Sequence, residues 1–326
     1  MQYKSSSIIT AAGAYLPDRI LSNHDLEKLV ETSDEWIVRR TGVKERRISK
    51  EDEFSSDMAI KAVENLLSVN SSSIDDVDMI IVTTFTADHI TPAVSAVVQG
   101  HFGIPNAGTM DINSACAGFV YGLCVADSLI TSGSFDKILL ISSETMSKII
   151  DYTDRNTCII FGDAATAVIL EKTDKKGCIL ASNFNTDGKL AENITCSSLS
   201  YKVNDRLIKK NRLFEQEGKF LYEYIVRNIP DGIERLLKKA DLTLEQIDWF
   251  VPHSANLRMI EALCKRLDFP MEKTLISNEY YGNTSSVSIP LAIWMALQES
   301  RIRPGDKIVL YGFGSGLTYG GIVLEW

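Results

Sequence analysis

The chain has 326 residues, of which 45% are hydrophobic and 24% are charged. This composition suits a globular protein with a large core, and the length predicts two domains or one large α/β unit. The formal net charge of −9 argues against a general nucleic-acid binder, because such proteins present a basic surface to the phosphates. A local basic patch for an anionic ligand is compatible with this charge.

The apolar runs of the sequence are short, and none reaches the length that a membrane span needs. The first five residues do not begin a signal-peptide pattern, so we expect a cytoplasmic protein that does not bind a membrane. The six cysteines form no CxxC pair and the four histidines show no metal-ligand spacing, so the sequence predicts no metal site.

An internal repeat organises the chain. Residues 73–82 and 243–252 each consist of a polar turn, an aspartate and a short apolar run that predicts a strand. Further pairs follow in the same order at a nearly constant offset: 136–140 with 306–310, 102–113 with 268–278, and 165–171 with 319–325. Any α/β protein repeats strands and helices, but several matches in one order favour a duplication. We therefore predict two α/β halves, residues 1–172 and 173–326, with the functional site at their junction.

Cys116 lies among small residues, between a predicted strand that ends near Asn113 and a predicted helix. The small neighbours keep the backbone close and leave the sulfur accessible. Free backbone N–H groups and the positive end of the helix dipole would stabilise a thiolate, which is the reactive form of cysteine. The segment therefore predicts a nucleophile, and the alternative is a buried cysteine at a tight turn.

Two further segments place polar residues beside predicted strands. His253 follows a short apolar strand and precedes a helix predicted to begin near Ser254, which is where α/β proteins bind ligands. Asn283 lies in a turn rich in glycine and hydroxyl residues, and the repeat gives this turn the place that the Cys116 turn holds in the first half. The alternatives are a structural hydrogen bond for His253 and a helix-capping turn around Asn283.

A glycine-rich loop covers residues 311–320. Such a loop permits close approach of the backbone and can direct N–H groups at an anion. It lacks the lysine of a P-loop and does not open a dinucleotide-binding fold. It therefore predicts an oxyanion hole or a tight structural turn rather than a phosphate site.

Together these segments resemble one family over essentially the whole chain, the β-ketoacyl-acyl carrier protein synthase III family of initiating condensing enzymes, within the thiolase superfamily. The motifs that carry the resemblance are residues 32–42, 115–118, 154–155, 161–163, 251–256, 281–284 and 312–320. The resemblance implies an α/β protein of thiolase-like fold, in which two duplicated α/β halves form a layered αβαβα core. A Cys, His, Asn set separates this family from elongating enzymes, which resemble Cys-His-His, and from thiolases with a second cysteine.

The resemblance also implies a ping-pong reaction. Cys116 would take the acyl group from an acyl-CoA primer, and malonyl-acyl carrier protein would then enter. His253 and Asn283 would stabilise the enolate formed as the malonyl group loses CO2. This carbanion would attack the acyl group on Cys116, giving 3-ketoacyl-acyl carrier protein and starting fatty-acid synthesis. The backbone N–H groups of Cys116 and Ser315 would form the oxyanion hole, and no metal or other cofactor is implied.

The CoA-binding residues are implied by position. Trp36 would stack on the adenine with Arg155 on its other face, and Thr32 would lie near the base. Arg40 would lie near the phosphates and Asn256 along the pantetheine arm.

Docking of the acidic carrier protein is implied for Arg258, Lys265 and Arg266, which follow His253 on a predicted helix. The alternative is a solvated helix face. Glu223 stands where relatives carry a basic docking residue, which predicts weaker or shifted carrier contacts at that point.

Two other positions depart from the family pattern. Ser315 stands where glycine or alanine is common, but its backbone N–H remains available. Thr91 aligns with a bulky phenylalanine that in relatives reaches across a homodimer into the acyl pocket. The smaller side chain predicts a roomier pocket for branched or longer primers, and we expect the chain to form a homodimer.

Two alternative functions remain open. The first is a related starter synthase or acyl transferase of a specialised pathway that uses the same fold. The second is a non-catalytic partner subunit, against which the intact Cys116, His253 and Asn283 weigh.

Overall fold

A computed structural model of the chain describes residues 4–70 and 72–326, so the first three N-terminal residues considered above lie outside the described part. The strands are β1 (Ser7–Tyr15), β2 (Arg19–Ser22), β3 (Glu45–Ile48), β4 (Met79–Thr83), β5 (Gly108–Ile112), β6 (Lys137–Glu144), β7 (Ala164–Lys172), β8 (Ile179–Thr186), β9 (Ile194–Cys196), β10 (Lys202–Val203), β11 (Arg206–Leu207), β12 (Phe214–Gln216), β13 (Trp249–Pro252), β14 (Lys307–Gly314) and β15 (Thr318–Glu325). The α-helices are α1 (Asn23–Leu26), α2 (Asp34–Thr41), α3 (Ser55–Val69), α4 (Val94–Phe102), α5 (Gly118–Thr131), α6 (Gly218–Ala240), α7 (Leu257–Leu267), α8 (Asn278–Tyr281) and α9 (Ser288–Gln298).

The two central sheets have the same strand order. The first sheet runs β1-β7-β6-β4-β5, and the second runs β8-β15-β14-β13. The pairs β4–β6 and β13–β14 are parallel. In the first sheet, the pairs β6–β7 and β7–β1 are antiparallel. In the second sheet, the corresponding pairs β14–β15 and β15–β8 are also antiparallel. Where β5 would have a counterpart, the described residues of the second half form a single parallel bridge, between Phe250 and Thr274. The first sheet therefore ends in an edge strand at β5, and the second ends at β13.

Five layers stack in the order helix, sheet, helix, sheet, helix. Helices α3 and α4 pack on the outer face of the first sheet, and α6 and α7 pack on the outer face of the second. Helices α5 and α9 lie between the two sheets and contact apolar side chains from both. This is the layered αβαβα core that the resemblance implied, and it brings the start of α5 and the start of α9 to the junction.

The sequence explains the position of each layer. Every residue of β4 and β6 is buried, and the apolar runs at 79–82 and 138–141 are typical of strands covered on both faces. The two central helices are also apolar around most of their circumference, and α9 carries no charged residue. The outer helices α6 and α7 bury one face only and expose charged residues on the other.

One predicted boundary was wrong. Helix α7 begins at Leu257 rather than near Ser254, because the side chain of Asn256 accepts a hydrogen bond from the backbone N–H of Arg258 at 2.9 Å and caps the helix there. Strand β5 ends at Ile112, close to the end predicted near Asn113. Within the described ranges, every helix is too short or too polar to cross a lipid bilayer.

Candidate active site

The turn that carries Cys116 is tight and lies at the junction of the halves. Ala115 has a φ of 44°, a short 3₁₀ helix covers Ala115–Ala117, and α5 follows at Gly118. A Cβ atom on Gly118 would lie 3.0 Å from the Cβ of Ser286 and 3.2 Å from the Cβ of Thr83. The absence of a side chain at Gly118 therefore lets the second half approach the Cys116 turn.

The turn that follows Asn283 has the same backbone design. Ser285 has a φ of 53°, a 3₁₀ helix covers Ser285–Val287, and α9 begins at Ser288. The side-chain carbonyl of Asn283 accepts a hydrogen bond from the backbone N–H of Ser285 at 2.8 Å. This bond fixes the amide orientation, so the Asn283 NH₂ group is the part left to donate to another molecule.

Both turns open into one cavity of about 1190 Å³ between the halves. Its lining includes Cys116, His253 and Asn283, and also Ser315 of the glycine-rich loop. The structure therefore brings together the three residues that the sequence predicted as catalytic. Ligand sites commonly occupy such junctions.

His253 directly follows β13, as predicted, and is buried. Its Nδ1 lies 2.7 Å from the Ser288 hydroxyl, and the backbone N–H of Ser254 donates to the same hydroxyl oxygen at 3.3 Å. That oxygen accepts from Ser254, so its own proton is available to His253 Nδ1, and we assign the imidazole proton to Nε2. Burial lowers the pKa of His253 to about 3, so the ring is neutral at physiological pH.

The end of β14 packs at backbone distance against the Cys116 turn. A Cβ atom on Gly314 would lie 2.9 Å from the backbone N of Cys116, and a Cβ atom on Gly312 would lie 2.8 Å from the Cα of Ala117. Ser315 follows at once, and its hydroxyl donates to the backbone carbonyl of Ile194 at 2.9 Å. The hydroxyl of Ser315 is thus bonded to the main chain of another segment, and Ser315 is one of the residues that line the cavity.

The electrostatics of Cys116 differ from the expectation of a stabilised thiolate. Burial raises the pKa of the thiol to about 12, and a nearby carboxyl group, Glu144, raises it further. A hydrogen bond with the Ser285 hydroxyl acts in the opposite direction but does not outweigh burial. The side chain reaches the cavity, yet protein atoms surround it closely enough to disfavour the charged form. The resting residue is therefore a thiol.

Glu144 is a site residue that the sequence interpretation missed. It ends the buried strand β6, is fully buried, and accepts hydrogen bonds from the hydroxyls of Ser285 (3.1 Å) and Ser286 (2.8 Å) on one oxygen. Its other oxygen accepts from the Thr86 hydroxyl at 2.7 Å, and burial raises its pKa to about 7. The available signal was an acidic residue that follows two serines at the end of a strand whose centre, residues 138–141, is apolar.

The residues expected to bind CoA fall into two groups. Trp36, Arg40 and Asn256 line the cavity, whereas Thr32 and Arg155 do not. The guanidinium of Arg155 lies 4.9 Å from the centre of the Trp36 ring. A base between the two would need about 7 Å, two van der Waals contacts of about 3.5 Å each. The predicted sandwich is therefore closed in this conformation.

The residues expected to dock a carrier protein lie on the surface. Arg258, Lys265 and Arg266 are exposed on α7, and the first two are seven residues apart, so they share one face of the helix. The Arg258 side chain donates to the Arg39 carbonyl at 2.7 Å and pairs with Glu261 at 2.8 Å. This surface is contiguous with the cavity mouth, because Arg258 also lines the cavity.

Thr91 and Glu223 lie apart from the three candidate catalytic residues. Thr91 is exposed and does not line the cavity of the single chain. Glu223 is exposed on α6.

A half-buried thiol, a neutral imidazole and an oriented amide share one cavity between two similar α/β sheets. This fold and site define a condensing enzyme of the thiolase type. Residues 110–188 match the family 3-oxoacyl-[acyl-carrier-protein] synthase III, and residues 237–326 match its C-terminal domain. The chain belongs to the 3-oxoacyl-[acyl-carrier-protein] synthase III family, as the resemblance predicted.

Similar proteins cover the whole chain. It is 50% identical to β-ketoacyl-[acyl-carrier-protein] synthase III 2 of Bacillus anthracis, over 99% of this chain and 98% of that protein. The solved structure of β-ketoacyl-[acyl carrier protein] synthase III from Thermus thermophilus superposes with a TM-score of 0.94 at 41% identity, over 98% of this chain and 99% of that one. The priming β-ketosynthase of the R1128 polyketide pathway has a TM-score of 0.91 at 30% identity, over 100% of this chain and 97% of that one. The predicted thiolase-like fold is therefore confirmed.

Proposed function

We propose that the chain condenses an acyl-CoA primer with malonyl-acyl carrier protein. The products would be 3-ketoacyl-acyl carrier protein, CO2 and CoA, and the reaction would start fatty-acid synthesis. Family membership supports this activity, and the observation that carries it is the meeting of Cys116, His253 and Asn283 in one cavity.

In the first half-reaction, the Cys116 sulfur attacks the thioester carbonyl of the primer. The carbonyl oxygen gains negative charge, which the backbone N–H groups of Cys116 and Ser315 stabilise. The close packing of Gly314 on the Cys116 turn supports this pairing, because a larger residue there would push the two backbones apart. The carbon–sulfur bond to CoA then breaks, leaving an acyl group on Cys116.

In the second half-reaction, malonyl-acyl carrier protein loses CO2 at the same place. The thioester oxygen becomes an enolate oxygen and accepts hydrogen bonds from His253 Nε2–H and the Asn283 amide. Both donors are neutral, and each is fixed by a second bond, to Ser288 and to the Ser285 backbone respectively. The carbanion attacks the acyl carbonyl, and the sulfur of Cys116 leaves. We propose that no metal or further cofactor takes part, because release of CO2 supplies the driving force.

We propose that CoA enters past Trp36, with its adenine on the ring face that Arg155 now covers. Arg155 would swing aside, and its bond to the Glu31 carbonyl (3.0 Å) is exposed and readily exchanged for water. The Thr32 hydroxyl is buried without a hydrogen-bond partner among the described residues, so it could serve the base. Arg40 would meet the phosphates, and Asn256 the pantetheine arm.

We propose that the acidic carrier protein docks on α7 through Arg258, Lys265 and Arg266. Their exposure beside the cavity mouth supports this, since a pantetheine arm must enter where its carrier binds. Lys219 also lines the mouth, one helical turn before Glu223. It could supply the positive charge that Glu223 does not.

We also propose that the chain is a duplication, with halves 1–172 and 173–326, and that two copies form a homodimer in the cytoplasm. The matching strand orders support the duplication. The unpaired edge of β5 and the neighbouring exposed residues Ile90 and Thr91 support pairing at that edge. Such pairing would bring Thr91 towards the partner's acyl pocket.

A starter synthase of a specialised pathway is the second candidate. The structural similarity to the R1128 priming β-ketosynthase favours it, because that protein shares the fold at 30% identity. The two candidates differ in the carrier protein and primer they accept, whereas their catalytic residues would be the same.

Intact-protein mass spectrometry tests the proposal. The purified protein is mixed with acetyl-, isobutyryl-, isovaleryl- and longer acyl-CoA, and then with malonyl-acyl carrier protein of fatty-acid synthesis. We expect an acyl adduct on Cys116 that disappears as 3-ketoacyl-acyl carrier protein and CO2 form. An acyl-enzyme that persists with this carrier, but reacts with the carrier of a specialised pathway, would favour the second candidate.

A further inference from the structure

The first half-reaction requires a proton acceptor that the three catalytic residues do not provide. Cys116 rests as a thiol, and its proton must leave before or as the sulfur attacks. His253 carries its proton on Nε2 and receives the Ser288 hydroxyl proton on Nδ1, so neither ring nitrogen is free to accept. The Asn283 amide is not a base at physiological pH.

A buried carboxyl group lies one hydrogen bond beyond the Ser285 hydroxyl, on the turn that packs against the Cys116 turn. The Ser285 hydroxyl acts on the Cys116 thiol by lowering its pKa, and it donates to Oε1 of Glu144 at 3.1 Å. Glu144 ends β6 in the first half, whereas Ser285 belongs to the α9 turn in the second. The chain of atoms Cys116 Sγ, Ser285 Oγ, Glu144 Oε1 therefore crosses the junction.

We propose that Glu144 accepts the Cys116 proton through the Ser285 hydroxyl when the thiol attacks the primer. The inference rests on the acyl transfer proposed above and adds to it a base and a bridging hydroxyl. Ser285 passes the proton on, since a hydroxyl can accept from sulfur and donate to a carboxylate at the same time.

The protons and electrons balance over both half-reactions. In the first, the S–H bond of Cys116 breaks, Ser285 takes this proton and gives its own to Glu144, and the sulfur lone pair bonds to the acyl carbon. CoA leaves as a thiolate and takes a proton from solvent at the cavity mouth. In the second, Cys116 leaves the acyl group as a thiolate. The proton then returns from Glu144 through Ser285, and the resting thiol and carboxylate are restored.

The surroundings of Glu144 suit a group that changes its protonation. They are hydroxyl and amide groups: the hydroxyls of Ser285 and Ser286, the hydroxyls of Thr84 and Thr86, and the backbone N–H groups of Phe85 and Thr86. The titratable group that faces it is Cys116. Burial raises the pKa of Glu144 to about 7, so it can accept a proton near neutral pH and release it again.

The test compares Glu144→Gln with the wild-type protein in single-turnover acylation from pH 5.5 to 9. The glutamine side-chain oxygen can still accept from the Thr86 hydroxyl. Its NH₂ group would face the Ser285 and Ser286 hydroxyls, which can accept. Glutamine cannot take up a proton at these pH values. We expect the wild-type rate to rise with an inflection near pH 7. The variant should be slower at neutral pH by about 100-fold, the usual effect of losing a general base, and should lack this inflection.

Two serine variants separate transfer of the proton from support of the turn. Ser285→Ala removes the bridge and should also remove the inflection. Ser286→Ala removes the other hydroxyl on the same carboxyl oxygen and should retain it. Alkylation of Cys116 by iodoacetamide, followed by peptide mass spectrometry, should show the same pattern without any acyl-CoA.

The outcomes distinguish failure of the proton relay from failure of the proposed acyl transfer. An inflection near pH 7 that persists in Glu144→Gln or in Ser285→Ala overturns the relay, even if acylation is normal. If wild-type protein accepts no acyl-CoA, but its alkylation profile depends on Glu144 and Ser285 as described, the relay stands and the proposed substrate is wrong. If Glu144→Gln does not fold, as judged by circular dichroism, the Ser285→Ala profile decides.

Discussion

The Cys116 turn and the Ser285 turn share one backbone design but perform different tasks. Each has a residue with positive φ, Ala115 at 44° and Ser285 at 53°, followed by a 3₁₀ turn and a central helix. The residue after the positive φ is Cys116 in the first half and Ser286 in the second. Cys116 opens into the cavity, whereas Ser286 donates to Glu144 at 2.8 Å and is buried.

The reaction that we propose would use different groups from the two similar halves. The first half carries Cys116, the proposed nucleophile, at its turn and a carboxyl group at the end of β6. The second half contributes donors: the Asn283 amide, the His253 imidazole and the Ser285 hydroxyl. The close approach of the turns, which Gly118 permits, lets each half act on groups held by the other.

The largest expected effect is on acylation, and it distinguishes the Cys116 turn from the Ser285 turn. Cys116→Ala should abolish acylation completely. Cys196, the other cavity cysteine among the described residues, does not lie on the tight turn that begins at Ala115. Ser286→Ala, at the matching position, should still acquire the acyl group. Intact mass spectrometry after mixing with acyl-CoA distinguishes the two, and an undiminished adduct on Cys116→Ala would refute the assignment. Cys196→Ala is the matched control, since Cys196 is the other cysteine among the described residues that line the cavity.

The next largest effect concerns two residues of the second turn, Asn283 and Ser285, which should affect different half-reactions. Asn283→Ala should slow decarboxylation and condensation by about 10²–10³-fold, as expected for loss of one oxyanion donor, and leave acylation largely intact. Ser285→Ala should instead slow acylation more than it slows decarboxylation and condensation. Single-turnover acylation and release of labelled CO2 from malonyl-acyl carrier protein measure the two steps. Equal loss of both steps in Asn283→Ala would contradict its role in enolate stabilisation.

A smaller effect compares two buried titratable groups, one from each half. Burial lowers the pKa of His253 from 6.5 to about 3, so its stability contribution is present above pH 6.5 and is lost as the pH falls towards 3. Burial raises the pKa of Glu144 from 4.5 to about 7, so its contribution is present below pH 4.5 and is lost as the pH rises to 7. Each amounts to at most about 1.4 kcal/mol per pH unit.

Urea denaturation between pH 4.5 and 7.5 checks these signs. Relative to wild type, His253→Gln should weaken the loss of unfolding free energy on acidification. Glu144→Gln should weaken the loss on going from pH 4.5 to 7. Unchanged slopes in both variants would show that neither group titrates differently in the folded and unfolded chains.

The smallest effect concerns the edges of the two sheets. β5 leaves an open edge in the first half, and we propose that a second copy pairs there and brings Thr91 to the acyl pocket. Thr91→Phe should then shift primer preference from branched and longer acyl-CoA towards acetyl-CoA, by several-fold, without changing the rate of enolate formation. Competition between primers, read by adduct mass, measures the shift. A strict acetyl preference of the wild-type protein would refute the roomy pocket.

The sequence by itself predicted two similar halves from the internal repeat, and it predicted the αβαβα layers from the family resemblance. It also identified Cys116, His253 and Asn283 as candidate catalytic residues. These depend on local patterns: short apolar strands, small residues at tight turns and a repeat in order. Helix α7 was placed three residues too early, because the capping bond from Asn256 depends on side-chain geometry rather than on hydrophobic pattern.

Only the tertiary structure decided the chemical state of the site. Burial makes Cys116 a resting thiol, contrary to the stabilised thiolate that the helix dipole suggested. Burial also keeps the His253 ring neutral. Glu144 lies far from Ser285 in the sequence, so their contact exists only because the two halves pack turn against turn. Local pattern therefore predicted the nucleophile, whereas desolvation and long-range packing produce the environment of the carboxyl group that we propose as the acceptor of its proton.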